Sequence, residues 1–201
     1  MLFQTTQAHE ELRAKVRAFA EEEIKPIAFM LDQQNEFPDE AIRKLGEMGL
    51  MGIPFPAEYG GAGLDALSYA IAVEELARVD GGAGVILSAH VSLGSWPIFA
   101  YGTEEQKRKY LVPLAKGEKI GAFGLTEPNA GSDAGGTETT AVLKGDHYVL
   151  NGGKSSLPTP PRRTPMWSLP SPHRISAPGA SAPSSWRRAG RASTSATTTT
   201  K

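Results

Sequence analysis

The sequence predicts an α+β chain: an all-helical amino-terminal domain over residues 1–119, the start of a β-domain over residues 120–154, and a Pro/Ser/Thr/Arg-rich tail over residues 155–201 without regular structure. Three observations predict it. Apolar residues recur at helical spacing in successive segments as far as Leu114. The pattern then shortens to runs of strand length, first Ile120 to Leu125 and then the alternating stretches Thr139 to Lys144 and His147 to Leu150. Charge changes abruptly as well. All 22 acidic residues fall in residues 1–146 against 13 Lys/Arg, a balance of −9, whereas residues 147–201 carry the other 8 Lys/Arg and no acid, a balance of +8.

Composition excludes several function classes. At 201 residues and 40% hydrophobic content the chain can bury a real core. It has no cysteine, hence no disulfide framework or thiolate metal site, and its four histidines, His9, His90, His147 and His173, lack ligand spacing, so no metal is expected. No apolar stretch approaches the ~20 residues of a membrane span, and no basic-then-apolar leader opens the chain. The expectation is a soluble, cytoplasmic protein without a membrane span.

Leu12, Val16, Phe19, Ala20 and Ile24 form the apolar stripe of a first amphipathic helix, and Pro26 marks its kink or end. Phe37-Pro38-Asp39-Glu40 starts a short second helix carrying Ile42, Leu45 and Met48 and stopping at Gly49. Met51 to Gly63, rich in proline and glycine, predicts a loop. Its Gly60-Gly61-Ala62-Gly63 lacks both the spacing and the preceding strand of a dinucleotide cradle. Asp65 caps a helix bearing Leu67, Ile71, Leu76 and Val79, which Gly81-Gly82 end. Val85 to Ala100 is nearly all apolar and predicts a central helix in which His90 and Trp96 are core or interface residues. Thr103 to Gln106 is a capping box for a helix burying Tyr110, Leu111 and Leu114. Its Lys107, Arg108 and Lys109 are interleaved with acids, which makes a solvated face and not a nucleic-acid patch.

Ile120 to Leu125 then runs into Thr126-Glu127-Pro128-Asn129-Ala130-Gly131-Ser132-Asp133. Pro128 cannot donate to a strand ladder, so pairing stops near Thr126, and the following loop can turn amides and the hydroxyls of Thr126 and Ser132 toward one bound polar group. By composition alone this is an ordinary polar loop. Its wording, Phe123-Gly124-Leu125-Thr126-Glu127-Pro128-Asn129-Ala130-Gly131-Ser132-Asp133, closely resembles the signature of the acyl-CoA dehydrogenase family. Tyr59-Gly60-Gly61, Tyr101 to Lys107, Leu114 to Glu118 and Asn151-Gly152-Gly153-Lys154 resemble that family's wording too, so the likeness covers roughly residues 5–154.

The resemblance implies that the signature lies against the isoalloxazine ring of FAD, with cofactor-binding roles for Phe123, Leu125, Thr126, Gly131 and Ser132. Leu125 and Thr126 would meet the pyrimidine side and N5 region, and Ser132 would also face the acyl-CoA substrate. The implied reaction oxidises acyl-CoA to trans-2-enoyl-CoA and hands electrons to an electron-transfer flavoprotein, in a homotetramer or homodimer. The family's catalytic glutamate lies in a carboxy-terminal bundle that the sequence does not include, so no catalytic residue is assigned and Glu127 is read as structural. With half a β-domain, unpaired edges predict an inactive chain with weak or no FAD binding and a tendency to aggregate.

The family wording stops at Lys154. The 155–201 segment is read either as a disordered basic tail or as an out-of-frame translation. Ser155 to Pro160 can be encoded TCT TCC TTA CCA ACG CCC, and the same bases preceded by A read Ile-Phe-Leu-Thr-Asn-Ala, which resembles the family's continuation. Trp186 to Thr200 can likewise be encoded so that the shifted frame gives Glu-Lys-Gly-Trp-Glu-Gly-Phe-Asp-Phe-Gly-Asn-His-Tyr-Asp. Two alternatives stay open: a non-catalytic helical binding protein with a basic tail, and a fragment of a related acyl-CoA oxidase or flavin monooxygenase.

Overall fold

Thr6 opens the first helix, α1 (Gln7–Phe19), by accepting the His9 backbone N–H on its hydroxyl, while the His9 ring accepts the Thr6 N–H at 3.0 Å. The computed structural model describes residues 4–145, 147–155, 166–168 and 175–176. In it the helix does not stop at Pro26. It passes through a π turn (Ala20–Ile24) into α2 (Lys25–Gln34).

The same device occurs twice more. α5 (Gly81–Ala89) runs through a π turn (His90–Ser95) into α6 (Trp96–Tyr101), and α7 (Glu104–Gln106) through Lys107–Leu111 into α8 (Val112–Ala115). Each helix after a π turn has proline in its first or second position: Pro26, Pro97 and Pro113. A proline within a helix gives no N–H, and its ring collides with the carbonyl four residues back. That carbonyl, of Glu22, Leu93 or Lys109, sits in the widened turn each time, so the helix accepts the proline without breaking.

α3 (Asp39–Glu47) and α4 (Ala66–Ala77) begin where the sequence places them, the latter with the Asp65 carboxylate 2.8 Å from the Ser68 N–H. Gly81-Gly82, expected to end a helix, instead open α5. The reason is Asp80, whose carboxylate accepts the N–H groups of Gly82 and Ala83 at 3.1 and 2.9 Å and so caps a helix start. The segment expected to be a loop carries two 3₁₀ turns, Leu50–Gly52 and Ala57–Tyr59, and buries Met51, Ile53 and Phe55 completely. These join Val16, Ile24, Leu45, Leu76, Leu87, Leu111 and Leu114 in one core.

The expectation of no span-length apolar stretch is corrected. Gly81–Tyr101 is a 21-residue helix without Asp, Glu, Lys or Arg, long and apolar enough by length and composition to cross a membrane. Of its apolar window, 56% is buried inside the fold. Leu87, His90, Val91 and Ile98 are buried in the core, while Val85, Leu93, Trp96 and Tyr101 are exposed, so the helix is covered on one side and Trp96, which the sequence allows as core or interface, is not a core residue.

α1 packs on α4, and the contact is tied by charge. Glu75, 1% exposed, accepts from Arg17 at 2.8 and 2.9 Å, from Arg13 at 2.9 Å and from Arg78 at 3.4 Å. The Arg17 guanidinium outweighs the upward push of burial and, with Arg13 and Arg78, holds this carboxyl at about 2.

After the helices come β1 (Ala122–Gly124), β2 (Thr140–Lys144) and β3 (His147–Asn151). β2 and β3 form the predicted hairpin, with Lys144 opposite His147 and Gly145 at φ 64° in the turn, where a side chain would be strained. Within the segment expected to lack regular structure, two short stretches are strands. β4 (Met166–Ser168) pairs parallel with β1, and β5 (Ile175–Ser176) pairs parallel with β2. Each takes up a strand edge that would otherwise be open. The rest of the expectation for residues 156–201 lies outside the described residues.

Candidate functional site

β1 reaches its place through a close backbone contact. A Cβ on Gly121 would stand 2.9 Å from the Gly94 Cα, and one on Gly94 would stand 2.6 Å from the Gly121 Cα. The π turn of the central helix and the start of β1 therefore touch main chain to main chain. Beside this contact the fully buried His90 accepts the Gly121 N–H on Nδ1 at 2.9 Å and, from Nε2 at 3.2 Å, donates to the Leu114 carbonyl. With one nitrogen an acceptor and the other a donor, the ring is neutral. Burial pushes it down to about 4, against the Leu114 and Met51 backbone groups, which favour the charged form.

Along β1, Ala122 and Gly124 face inward, while Phe123 and Leu125 share the half-buried side. Past the strand the chain reverses in a tight turn, the Glu127 N–H donating to the Ala130 carbonyl at 2.9 Å and the Ala130 N–H returning to Glu127 at 3.1 Å. Pro128 and Asn129 occupy its tip, as the missing proline donor predicts. Strand pairing ends one residue earlier than the apolar run, at Gly124.

Glu127 turns inward and is 5% exposed. Its carboxylate accepts the Lys154 ammonium at 2.7 Å, the Thr139 hydroxyl at 2.5 Å, the Thr139 N–H at 3.1 Å and the Glu138 N–H. Burial pushes this carboxyl up; Lys154, Thr139 and the two amides outweigh it and hold it at about 2. Both carboxylate oxygens of Glu127 are thus engaged within the fold. Lys154 Nζ also donates to the Leu125 carbonyl at 3.0 Å, and the Ser155 N–H donates to the Thr126 carbonyl at 2.8 Å.

Of the five residues assigned from the sequence, Phe123, Leu125 and Thr126 lie together at the end of β1, each half-buried. The Thr126 amide and hydroxyl have no hydrogen-bond partner among the described residues. This leaves a half-open apolar strip flanked by free donors, able to hold the face and acceptor edge of a planar heterocycle. Gly131 and Ser132 lie beyond the turn and are exposed. No three His, Cys, Asp or Glu side chains among the described residues converge as a metal site.

Sequence reasoning missed Lys154 and Thr139 as partners of Glu127, and His90 as the link between helix and strand. The one available signal was Lys154 following a Gly-Gly turn.

Comparisons with known proteins identify the family. Residues 6–118 match the family described as acyl-CoA dehydrogenase, N-terminal domain. The chain is 63% identical over 154 residues to the short-chain specific acyl-CoA dehydrogenase of Clostridium acetobutylicum, covering 77% of this chain and 41% of that one. A solved chain from work on the electron transferring flavoprotein of Acidaminococcus fermentans is 52% identical with a TM-score of 0.75, over 78% of this chain and 41% of that one. An acyl-CoA dehydrogenase from Bacillus anthracis, solved in complex with FAD, is 43% identical with a TM-score of 0.73, over 77% of this chain and 27% of that one. The chain thus spans less than half the length of these relatives, and by its matched helical domain it belongs to the acyl-CoA dehydrogenase family.

Proposed function

We propose that the chain supplies the helical domain and the flavin wall of a cytoplasmic, FAD-dependent acyl-CoA dehydrogenase. The parent enzyme oxidises an acyl-CoA thioester to its trans-2-enoyl form and passes the electrons to an electron-transfer flavoprotein. The observation that carries this reading is the half-open strip of Phe123 and Leu125 ending in the unengaged donors of Thr126. Apolar side chains suit the plane of an isoalloxazine ring, and fixed amide and hydroxyl donors suit its acceptor edge, where reduction accumulates negative charge. Bound there, FAD supplies the hydride acceptor. Gly131 and Ser132 are assigned to the flavin as well, with Ser132 also facing the acyl-CoA. Similarity to the Clostridium acetobutylicum protein makes short acyl thioesters the first substrates to assay.

Removing the α-proton needs a carboxylate able to accept it. The carboxylates buried among the described residues, Glu75 and Glu127, are held at about 2 by their cationic and hydroxyl partners and serve as structural anions. The 201-residue chain is therefore expected to show no dehydrogenation of its own. We further propose domain limits at residues 1–119, 120–154 and 155–201, the last being an out-of-frame continuation of the β-domain.

One experiment tests the whole reading. The nucleotides from Asn151 onward are sequenced, one base is inserted to shift the frame after Lys154, and the product is purified beside the 201-residue chain. A yellow protein that reduces a dye with butyryl-CoA, beside a chain that does not, is the expected result. A shifted frame that soon closes, or a colourless and silent product, would sink the proposal and favour a helical binding protein.

A further inference from the structure

We propose that Lys154, held by Glu127, is a positioning residue that sets the direction of the Thr126 backbone donor. The inference rests on the flavin reading above and deepens it.

In a planar trans peptide the carbonyl of one residue and the N–H of the next point in opposite directions. Lys154 Nζ, 3.0 Å from the Leu125 carbonyl, fixes one face of the Leu125–Thr126 peptide and so aims the Thr126 N–H the opposite way. The neighbouring peptide shows the rule operating. The Ser155 N–H holds the Thr126 carbonyl at 2.8 Å, and on the other side of that plane the Glu127 N–H meets Ala130 at 2.9 Å. Two consecutive peptide planes are thus gripped from behind by residues 154 and 155.

The grip is built and not incidental. The Lys154 side chain is 8% exposed and that of Glu127 is 3% exposed. A buried ammonium needs an anion, and the Glu127 carboxylate at 2.7 Å provides it. That carboxylate is fixed in turn by the Thr139 hydroxyl and the amides of Glu138 and Thr139, just before β2. The hairpin β2–β3 thereby delivers both ends of the clasp: Thr139 leads into β2, and Lys154 follows β3. An ammonium on the Leu125 oxygen also polarises the peptide, which makes the Thr126 N–H a stronger donor.

The test uses the full 201-residue chain with Lys154→Met, Lys154→Arg and Glu127→Gln. In the flavin-free chain, amide exchange is followed at Glu127, Ser155, Glu138 and Thr139, with Leu45, Leu76 and Leu87 reporting the helical core. FAD uptake is followed separately by quenching of flavin fluorescence at excess FAD. Lys154→Met is expected to speed exchange at Ser155 and Glu127, whose amides hold the adjoining peptide, by about tenfold or more while the core amides hold, and to weaken FAD uptake by a similar factor. Lys154→Arg restores most of both, and Glu127→Gln falls between. Exchange within about twofold of the unsubstituted chain overturns the proposal, as does faster exchange with unaltered FAD uptake. Where the unsubstituted chain takes up no FAD, as half a β-domain allows, uptake is compared in the frame-restored protein with the same substitutions; a frame-restored protein without FAD fails the flavin reading instead, and the exchange result still decides the clasp.

Discussion

His90 is a histidine that the fold requires to stay uncharged, since its Nδ1 must accept from Gly121 and no carboxylate is among its hydrogen-bond partners. Its ordinary value is 6.5 and its folded value about 4, so between these the unfolded chain binds the extra proton. The stability from His90 is then full above 6.5 and lost as pH falls toward 4, by about 3 kcal/mol. Urea unfolding between pH 7 and 4 should show this slope, and His90→Gln should be less stable at pH 7 yet flatter across the window. Glu75 and Glu127, depressed from 4.5 to about 2, lose their contribution only below the upper of those values, so the two limbs separate. Sequence marks the site's residues unequally. Phe123, Leu125 and Thr126 are singled out by the likeness of their segment to the family signature, while Pro128 marks only roughly where strand pairing ends, at Gly124. The pairing of Lys154 with Glu127 is not legible, because 27 residues separate them and no local period joins them. His90 reads as core, but a lone histidine in an apolar run does not say which two backbone groups it will join.

At the scale of elements, the helical domain and the first strand meet where neither chain has a side chain. Gly121→Ala should force the main chains apart and cost about 1–3 kcal/mol, seen as a lowered thermal midpoint. Gly131→Ala, with nothing within 4 Å of the added carbon, should leave it unchanged. Helix starts were mostly legible, since Asp65 and Thr103 sit before an apolar period and cap as expected. The start at Asp80 was hidden by Gly81-Gly82, which mimic a helix stop, because capping depends on a carboxylate reaching two amides and not on the residues that bear them. Met51, Ile53 and Phe55 were hidden for a related reason. Prolines and glycines around them denote turns, and turns say nothing of burial.

The whole molecule divides along its charge. The acidic part holds the helical core and the signature turn, and the basic part contributes two short parallel strands that no periodicity announced. On the hairpin, Val142 opposes Val149 with both more than a third exposed, an apolar face consistent with a β-domain continued by residues other than these. The three proline-bearing π turns add a consequence for length. Each is one residue inserted into an α-helix, absorbed where it enters so that the helix on either side keeps its facing. The numbering of this chain is therefore elastic at three points and rigid between them, and relatives without the proline are expected to be one residue shorter there. Removing exposed Glu22 together with Pro26→Ala should keep unfolding stability within about 1 kcal/mol. Removing exposed Ala14 rotates the start of α1 by about 100° and pulls Arg13 away from Glu75. Insertions and deletions in this family would then be expected to gather at such turns, with a proline as the mark each one leaves in the alignment.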